Sequence, residues 1–175
     1  WQASAGLQQE LGPGVGLAIG YFRTAHANLR VTDNVNVTPA DYSPYCVTAP
    51  VDARLPGGGG NQICGLADIT PTAFGSVRNF VTAASDFGNQ TEVFNGIEIG
   101  LNTRFGQGGV LNGGVSTGRT TTNSCYVVDS PQQLVNCHVS PPLSANTQVK
   151  LNGSYPLPGD VFVSAVFQNL PGPAY

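Results

Sequence analysis

The chain has 175 residues, a formal net charge of −3 and a pI near 5.1. Asp, Glu, Lys and Arg make up only 10% of it, where about 25% is usual in globular proteins. The seven Lys and Arg are scattered from Arg23 to Lys150, so no basic patch exists and nucleic acid is excluded as a partner. No apolar run approaches the ~18 residues of a transmembrane helix, which excludes helical spans but not strands of ~9–11 residues.

The 23 glycines and 13 prolines stand beside 41% apolar residues. Many Val, Thr, Asn and Gln complete a composition suited to β-structure with long polar loops. Methionine is absent and the chain opens on Trp1, so a processed product or a fragment is expected.

The first alternating segment, near residues 2–11, sets Trp1, Ala3, Ala5, Leu7 and Leu11 on one face and Gln2, Ser4, Gln8 and Glu10 on the other; Gln9 breaks the apolar face. After the turn Gly12-Pro13-Gly14, Val15, Leu17, Ile19 and Tyr21 share a face over 15–23. A second hairpin runs over 92–105 and 110–119 around Gly106-Gln107-Gly108-Gly109. Val93, Ile97, Ile99, Leu101 and Phe105 oppose Glu92, Glu98, Gly100, Asn102 and Arg104; Leu111 and Val115 then oppose Asn112, Gly114 and Ser116. The third runs over 147–156 and 161–169 around Leu157-Pro158-Gly159-Asp160. Val149, Leu151 and Tyr155 form its apolar side, followed by Val161, Val163, Ala165 and Phe167. Period-two patterning with short Gly/Pro turns predicts six strands of about ten residues in three antiparallel hairpins.

The other ends of the hairpins are joined by long connections, 24–91 and 120–146. Compact domains rarely carry structureless loops beyond ~12–15 residues. Outer-membrane barrels combine short turns on one side with long loops on the other, an apolar outward face and a polar lumen. The pattern therefore predicts an all-β antiparallel meander forming part of a transmembrane β-barrel. Glu98, Arg104 and Lys150 are its lumen-facing polar residues, and Trp1, Tyr21, Phe22, Phe105, Tyr155 and Phe167 are candidates for interface girdles. Six strands cannot close a membrane barrel, which needs at least eight, so flanking strands are expected.

Cys46, Cys64, Cys125 and Cys137 are even in number, fall in the two long connections and lack Cys-x-x-Cys spacing. Zinc favours close ligand pairs, so two local disulfides, Cys46–Cys64 and Cys125–Cys137, are the favoured pairing among three possible connectivities. Disulfides place the chain in an oxidising compartment. Gly57–Gly60 follow no apolar strand and precede no Lys-Ser/Thr, so they read as a loop tip rather than a phosphate cradle. Residues 69–85 suit either a short helix or an added strand pair. Asp33, Asp41, Asp52 and Asp68 lack EF-hand spacing and read as solvated loop carboxylates. Ser140, His138 and Asp129 supply hydrolase residue types, but no Gly-x-Ser-x-Gly elbow accompanies them. No catalytic residue, cofactor or metal site is expected.

The stretches YSPYCVTAPVDARLPGGGGNQICGL (42–66), TEVFNGIEIGLNTRF (91–105) and LNGGVSTGRTTTNSCYVVDSP (111–131) resemble the late barrel region of TonB-dependent outer-membrane receptors. The type is the Oar-like group, which carries a carboxypeptidase-regulatory-like domain. That resemblance implies a plugged barrel of about 22 strands that takes up scarce ligands such as metal chelates or glycans. It places the protein in the bacterial outer membrane. The implied partners are outer-membrane lipid, the rest of the barrel with its plug, and a TonB-type energy-coupling protein reached through the N-terminal part of the receptor. The alternative from patterning alone is a secreted or cell-surface β-rich module, an adhesin or filament subunit that self-assembles through strand edges.

Overall fold

The computed structural model describes residues 1–172. Its regular structure is strand, with only short 3₁₀ turns between. No helix among the described residues is long and apolar enough to cross a membrane, which says nothing of β-barrels. Among the described residues eleven strands form: β1 (Gln2–Gly12), β2 (Val15–His26), β3 (Arg30–Asn34), β4 (Tyr42–Thr48), β5 (Gln62–Ile69), β6 (Asn79–Ala83), β7 (Thr91–Phe105), β8 (Gly109–Asn123), β9 (His138–Val139), β10 (Gln148–Leu157) and β11 (Val161–Asn169).

The chain divides into two compact units. The first holds Trp1–His26, Glu92–Thr121 and the described residues from Ser140; the second holds Ala27–Thr91 and Thr122–Val139.

The main sheet runs in the order β1-β2-β7-β8-β10-β11. Skipping the shorter strands, this is sequence order, so the six predicted strands form a meander. β9 adds two residues at the end of β8, pairing with Thr122 and Asn123. Register explains why alternation was legible. Leu7 pairs with Ile19 and Ile19 with Ile99, and Val115 pairs with Val149. Apolar residues thus meet apolar residues across the strands. Gln8 pairs with Ala18, Ala18 with Gly100, and Gly114 with Lys150, all on the opposite face. At the first hairpin, Pro13 and Gly14 (φ +76°) form a two-residue turn with the residue order of a type II turn. A register shift between Glu10 and Gly12 adjoins it.

The second unit is where the chain buries its apolar side chains. Val37, Ala49, Ala73, Ala84 and Val128 are the buried hydrophobic residues among those described, and all belong to it. Two hairpin ladders build it, β3 with β6 and β4 with β5. Within the ambiguous stretch 69–85, Asn79–Ala83 is strand, preceded by a turn and followed by a 3₁₀ turn at Ala84–Asp86. β6 holds Phe80 and Val81, and no α-helix forms there because Asn79–Ala83 finds a complete ladder on Arg30–Asn34.

The main sheet has no such core. Every residue of β11 is exposed, as is every residue of β1 except Gly12. Leu7 is 62% exposed and Leu11 60%. Among the described residues β1 and β11 are open edges of the sheet.

Candidate functional site

The sheet presents two chemically different faces, and pairing assigns each side chain to one. The apolar face carries Ala3, Ala5 and Leu7 from β1, Leu17, Ile19 and Tyr21 from β2, and Ile97, Ile99 and Leu101 from β7. It continues through Leu111 and Val115 on β8, Val149, Leu151 and Tyr155 on β10, and Val163 and Phe167 on β11. Near the turns, Phe105 stacks on Tyr155 with ring centroids 5.9 Å apart. These two rings line an apolar trough of about 370 Å³ with Leu151 and Phe167.

At the opposite end lies a polar and aromatic cluster. The Tyr21 hydroxyl donates to Asn95 Oδ1 at 2.8 Å, and Arg23 Nη1 donates to the same oxygen at 2.9 Å. The Arg23 guanidinium stands 5.5 Å from the centre of the Trp1 ring, a cation–π distance. From Asn95 to Phe105 is ten residue steps on β7. At ~3.3 Å per residue, that is about 33 Å along the strand. Ile97, Ile99, Leu101 and Thr103 fill this interval on the same face.

Of the six aromatics expected near strand ends, four gather in two clusters at opposite ends of the apolar face. Trp1 and Tyr21 join the loop-end cluster, while Phe105 and Tyr155 form the turn-end stack. Phe22 falls on the polar face, its ring against Gly20. Phe167 pairs with Leu151, within the apolar band rather than at its end. Position near a strand terminus suggested both. Phe22 follows Tyr21, so alternation within its own strand turns it to the other face, whereas the level of Phe167 is set by the stagger of neighbouring strands, which a single strand's sequence does not contain.

Glu98, Arg104 and Lys150 all stand on the polar face. Glu98 pairs with Gly20, and Lys150 lies between Gly114 and Gln168. Arg104, next to Thr103 on β7, lines a trough of about 730 Å³ with Glu10, Asn102 and Asn112. The three sit among small and amide side chains, and no ion pair among the described residues involves them. Aromatic rings fill the space left by glycines on this face. The Phe94 ring covers Gly96 and Gly118, where an added Cβ would meet it within 3 Å. At β11 the polar face gives way: Phe162 and Val166 point to it and are each 71% exposed.

In the second unit both expected disulfides are present, Cys46–Cys64 and Cys125–Cys137. Cys46 lies at a register shift between Tyr45 and Val47, opposite Cys64 and Gly65. Gly65 has φ +86°, which supplies the bulge. Beyond the disulfide the β4–β5 hairpin ends in the glycine run. Gly57, Gly58, Gly59 and Gly60 all have φ between 72° and 81°, a region that residues with a Cβ avoid. The Gly60 N–H donates to the Ala49 carbonyl at 3.1 Å, tying the run to the hairpin. At the tip, exposed Asp52 and Arg54 form an ion pair at 2.7 Å. Arg54 holds the Asp52 carboxyl below its ordinary range.

The weighed hydrolase residues each have other partners. The Asp129 carboxylate accepts the Asn34 N–H at 3.1 Å. Burial raises its pKa above the ordinary carboxylate value, and Asp33 pushes the same way. His138 pairs with Asn123 in the β8–β9 ladder. The Ser140 hydroxyl shares a hydrogen bond of 3.3 Å with Thr121. Among the described residues no group of three His, Cys, Asp or Glu side chains could hold a metal ion. Burial also raises the pKa of Tyr126, whose hydroxyl donates to Gln90 Oε1 at 2.5 Å.

Compared with protein-family models, curated proteins and solved structures, the chain matches none.

Proposed function

We propose that this chain forms part of the wall and the surface loops of an outer-membrane β-barrel. In this reading it belongs to a TonB-dependent receptor that takes up a scarce ligand such as a metal chelate or a glycan. One observation carries the wall reading: an uncovered apolar band, bounded by aromatic clusters, on a sheet whose other face is polar; at the tilt of about 40° usual in barrels it would be about 25 Å high. A soluble sheet of this size would have to cover that band, because exposed apolar patches of many residues drive association. Lipid covers it at no cost. The receptor type and its ligand class rest on the resemblance of the three stretches quoted above, and no catalytic role is proposed.

In this reading Glu98, Arg104 and Lys150 face the lumen, and the disulfide-bonded unit is the extracellular part. Its cystines suit a surface exposed to oxidising conditions. The unpaired edges of β1 and β11 meet neighbouring strands of the barrel, since open edges are not tolerated in lipid. A TonB-type coupling protein would act through a plug outside the barrel wall.

The test is the native gene product in fractionated cells. The wall reading expects it in the outer membrane, extracted only by detergent. It also expects an apparent mass on electrophoresis that changes on heating, and a mass above 18.1 kDa for the closed assembly. Recovery of an 18.1 kDa species without detergent would overturn it. That outcome would favour the secreted module, whose supporting observation is the pair of free sheet edges.

A further inference from the structure

The apolar face carries two charged side chains, and both are arginines at its loop end. Of the charged residues in the six long strands, Glu10, Glu92, Glu98, Arg104 and Lys150 alternate onto the polar face. Arg23 pairs with Asn95 across the β2–β7 ladder. On the other side of β7, Gly118 lies beside Asn95, whose carbonyl would sit 3.1 Å from an added Cβ. That virtual Cβ also meets the Phe94 ring, so Gly118 faces the polar side and Arg119, the next residue, faces the apolar side. Arg23 and Arg119 therefore flank Asn95, two strand spacings or roughly 10 Å apart at the backbone. Among the described residues neither has an acidic partner within ion-pair distance.

We propose that Arg23 and Arg119, with Trp1, Tyr21 and Asn95, bind the phosphate of a phosphorylated lipid whose acyl chains lie on the apolar face. The proposal rests on the wall reading, which makes that face lipid-covered. Both side chains are long enough to reach a common anion over Asn95, and guanidinium groups offer bidentate geometry to phosphate oxygens. Asn95 spends its oxygen on Tyr21 and Arg23, leaving its amide N–H groups to donate. Trp1 and Tyr21 supply the amphipathic rings that settle at headgroup depth. An anchor that merely reaches for interfacial water would not distinguish one headgroup from another. A site for a terminal phosphate monoester does, because a choline-capped phosphodiester has less charge, fewer free oxygens and a cation beside the arginines; the continuity of the cluster with the apolar band points to a lipid-borne phosphate rather than a free one.

The experiment uses the full gene product, extracted from membranes and exchanged into a neutral maltoside detergent. Short-chain phosphatidate, short-chain phosphatidylcholine and inorganic phosphate are titrated separately, with binding followed by native mass spectrometry. Phosphatidate is expected to bind at least about tenfold tighter than phosphatidylcholine, the effect of charge-assisted bonds to the anion. Arg119→Gln, at an exposed position without an ion-pair partner among the described residues, is expected to lose most of that preference without affecting folding. Arg23→Gln with Arg119→Gln should abolish it, and the paired Lys replacements should keep part of it. A wild-type protein that needs detergent yet shows no preference for phosphatidate overturns this proposal alone. So does a preference that survives both Gln replacements, or inorganic phosphate binding as tightly as phosphatidate. A wild-type protein that stays dispersed without detergent overturns the wall reading, and this proposal with it.

Discussion

Gly59 has φ +74°, and a side chain there would run into the Pro50 carbonyl. Gly57 has a similar φ but open space around it. Gly59→Ala is therefore expected to destabilise the hairpin tip by more than the ~1–2 kcal/mol that a left-handed conformation alone costs a residue with a Cβ. Gly57→Ala should cost only that conformational term. Thermal unfolding of the two variants checks the order; equal losses would mean the Pro50 contact yields freely. The sequence identified this run as a loop tip, but nothing in four successive glycines says which one is sterically required.

Asp129 makes a pH prediction. Its folded-state pKa is raised, first by burial and then by Asp33, against the lowering effect of the Asn34 N–H. A carboxyl of this kind contributes stability that is fully present below the ordinary carboxylate range. That contribution is lost as pH rises through the raised value. Asp129→Asn keeps an oxygen for the Asn34 N–H and removes the titration. The variant should lose part of the wild-type decline in stability between acid and neutral pH. Amide hydrogen exchange at Asn34, compared between the proteins across that range, reads the difference. Parallel pH profiles would refute it.

The β4–β5 hairpin tests elements. It is closed by Cys46–Cys64, a separation of 18 residues, for which chain entropy predicts about 3 kcal/mol. Replacing both cysteines by Ser should loosen the hairpin and open the glycine tip to proteolysis. The six-strand sheet, which shares no disulfide with it, should keep its protection. Simultaneous loss of both units would show a coupling that the separate ladders do not suggest.

The strands of the sheet give a second element-scale prediction. Ile99→Arg places a charge on the apolar face between the two aromatic clusters. In a bilayer this should cost about 2–4 kcal/mol, whereas a charge near the interface costs ~0–1. Asn102→Arg, on the polar face, should be tolerated. Recovery of folded protein from membranes distinguishes them, and equal recovery would argue that lipid does not cover Ile99. The apolar and polar rows were legible because alternation with period two survives in β1, β2, β7, β8 and β10. In β11, Val161-Phe162-Val163 and Val166-Phe167 run apolar on both faces, so sequence alternation named only one side. Nothing in the sheet explains the exposure of Phe162 and Val166.

At the scale of the whole molecule, the distribution of burial matters most. The second unit encloses five buried apolar side chains, while among the described residues the sheet leaves its apolar face open and the outer edges of β1 and β11 unpaired. Such a sheet is stable only when something covers the face and extends the edges. The membrane wall satisfies both needs, and a filament would satisfy them by self-pairing. Fractionation decides between them, as set out above.

Taken alone, the sequence determined the six strands, their hairpin turns and the two faces, and it favoured the disulfide pairing that the structure shows. These follow from local causes: side-chain alternation, glycines and prolines at turns, and cysteines close enough along the chain to meet. Only the tertiary structure decided what depends on pairing between distant segments. It turned the long connections into a unit with its own buried residues, because Arg30–Asn34 found a ladder on Asn79–Ala83. It set Phe167 level with Leu151, within the apolar band rather than at its end. It also set Arg23 and Arg119 on either side of Asn95, a juxtaposition of residues far apart in sequence that register alone creates.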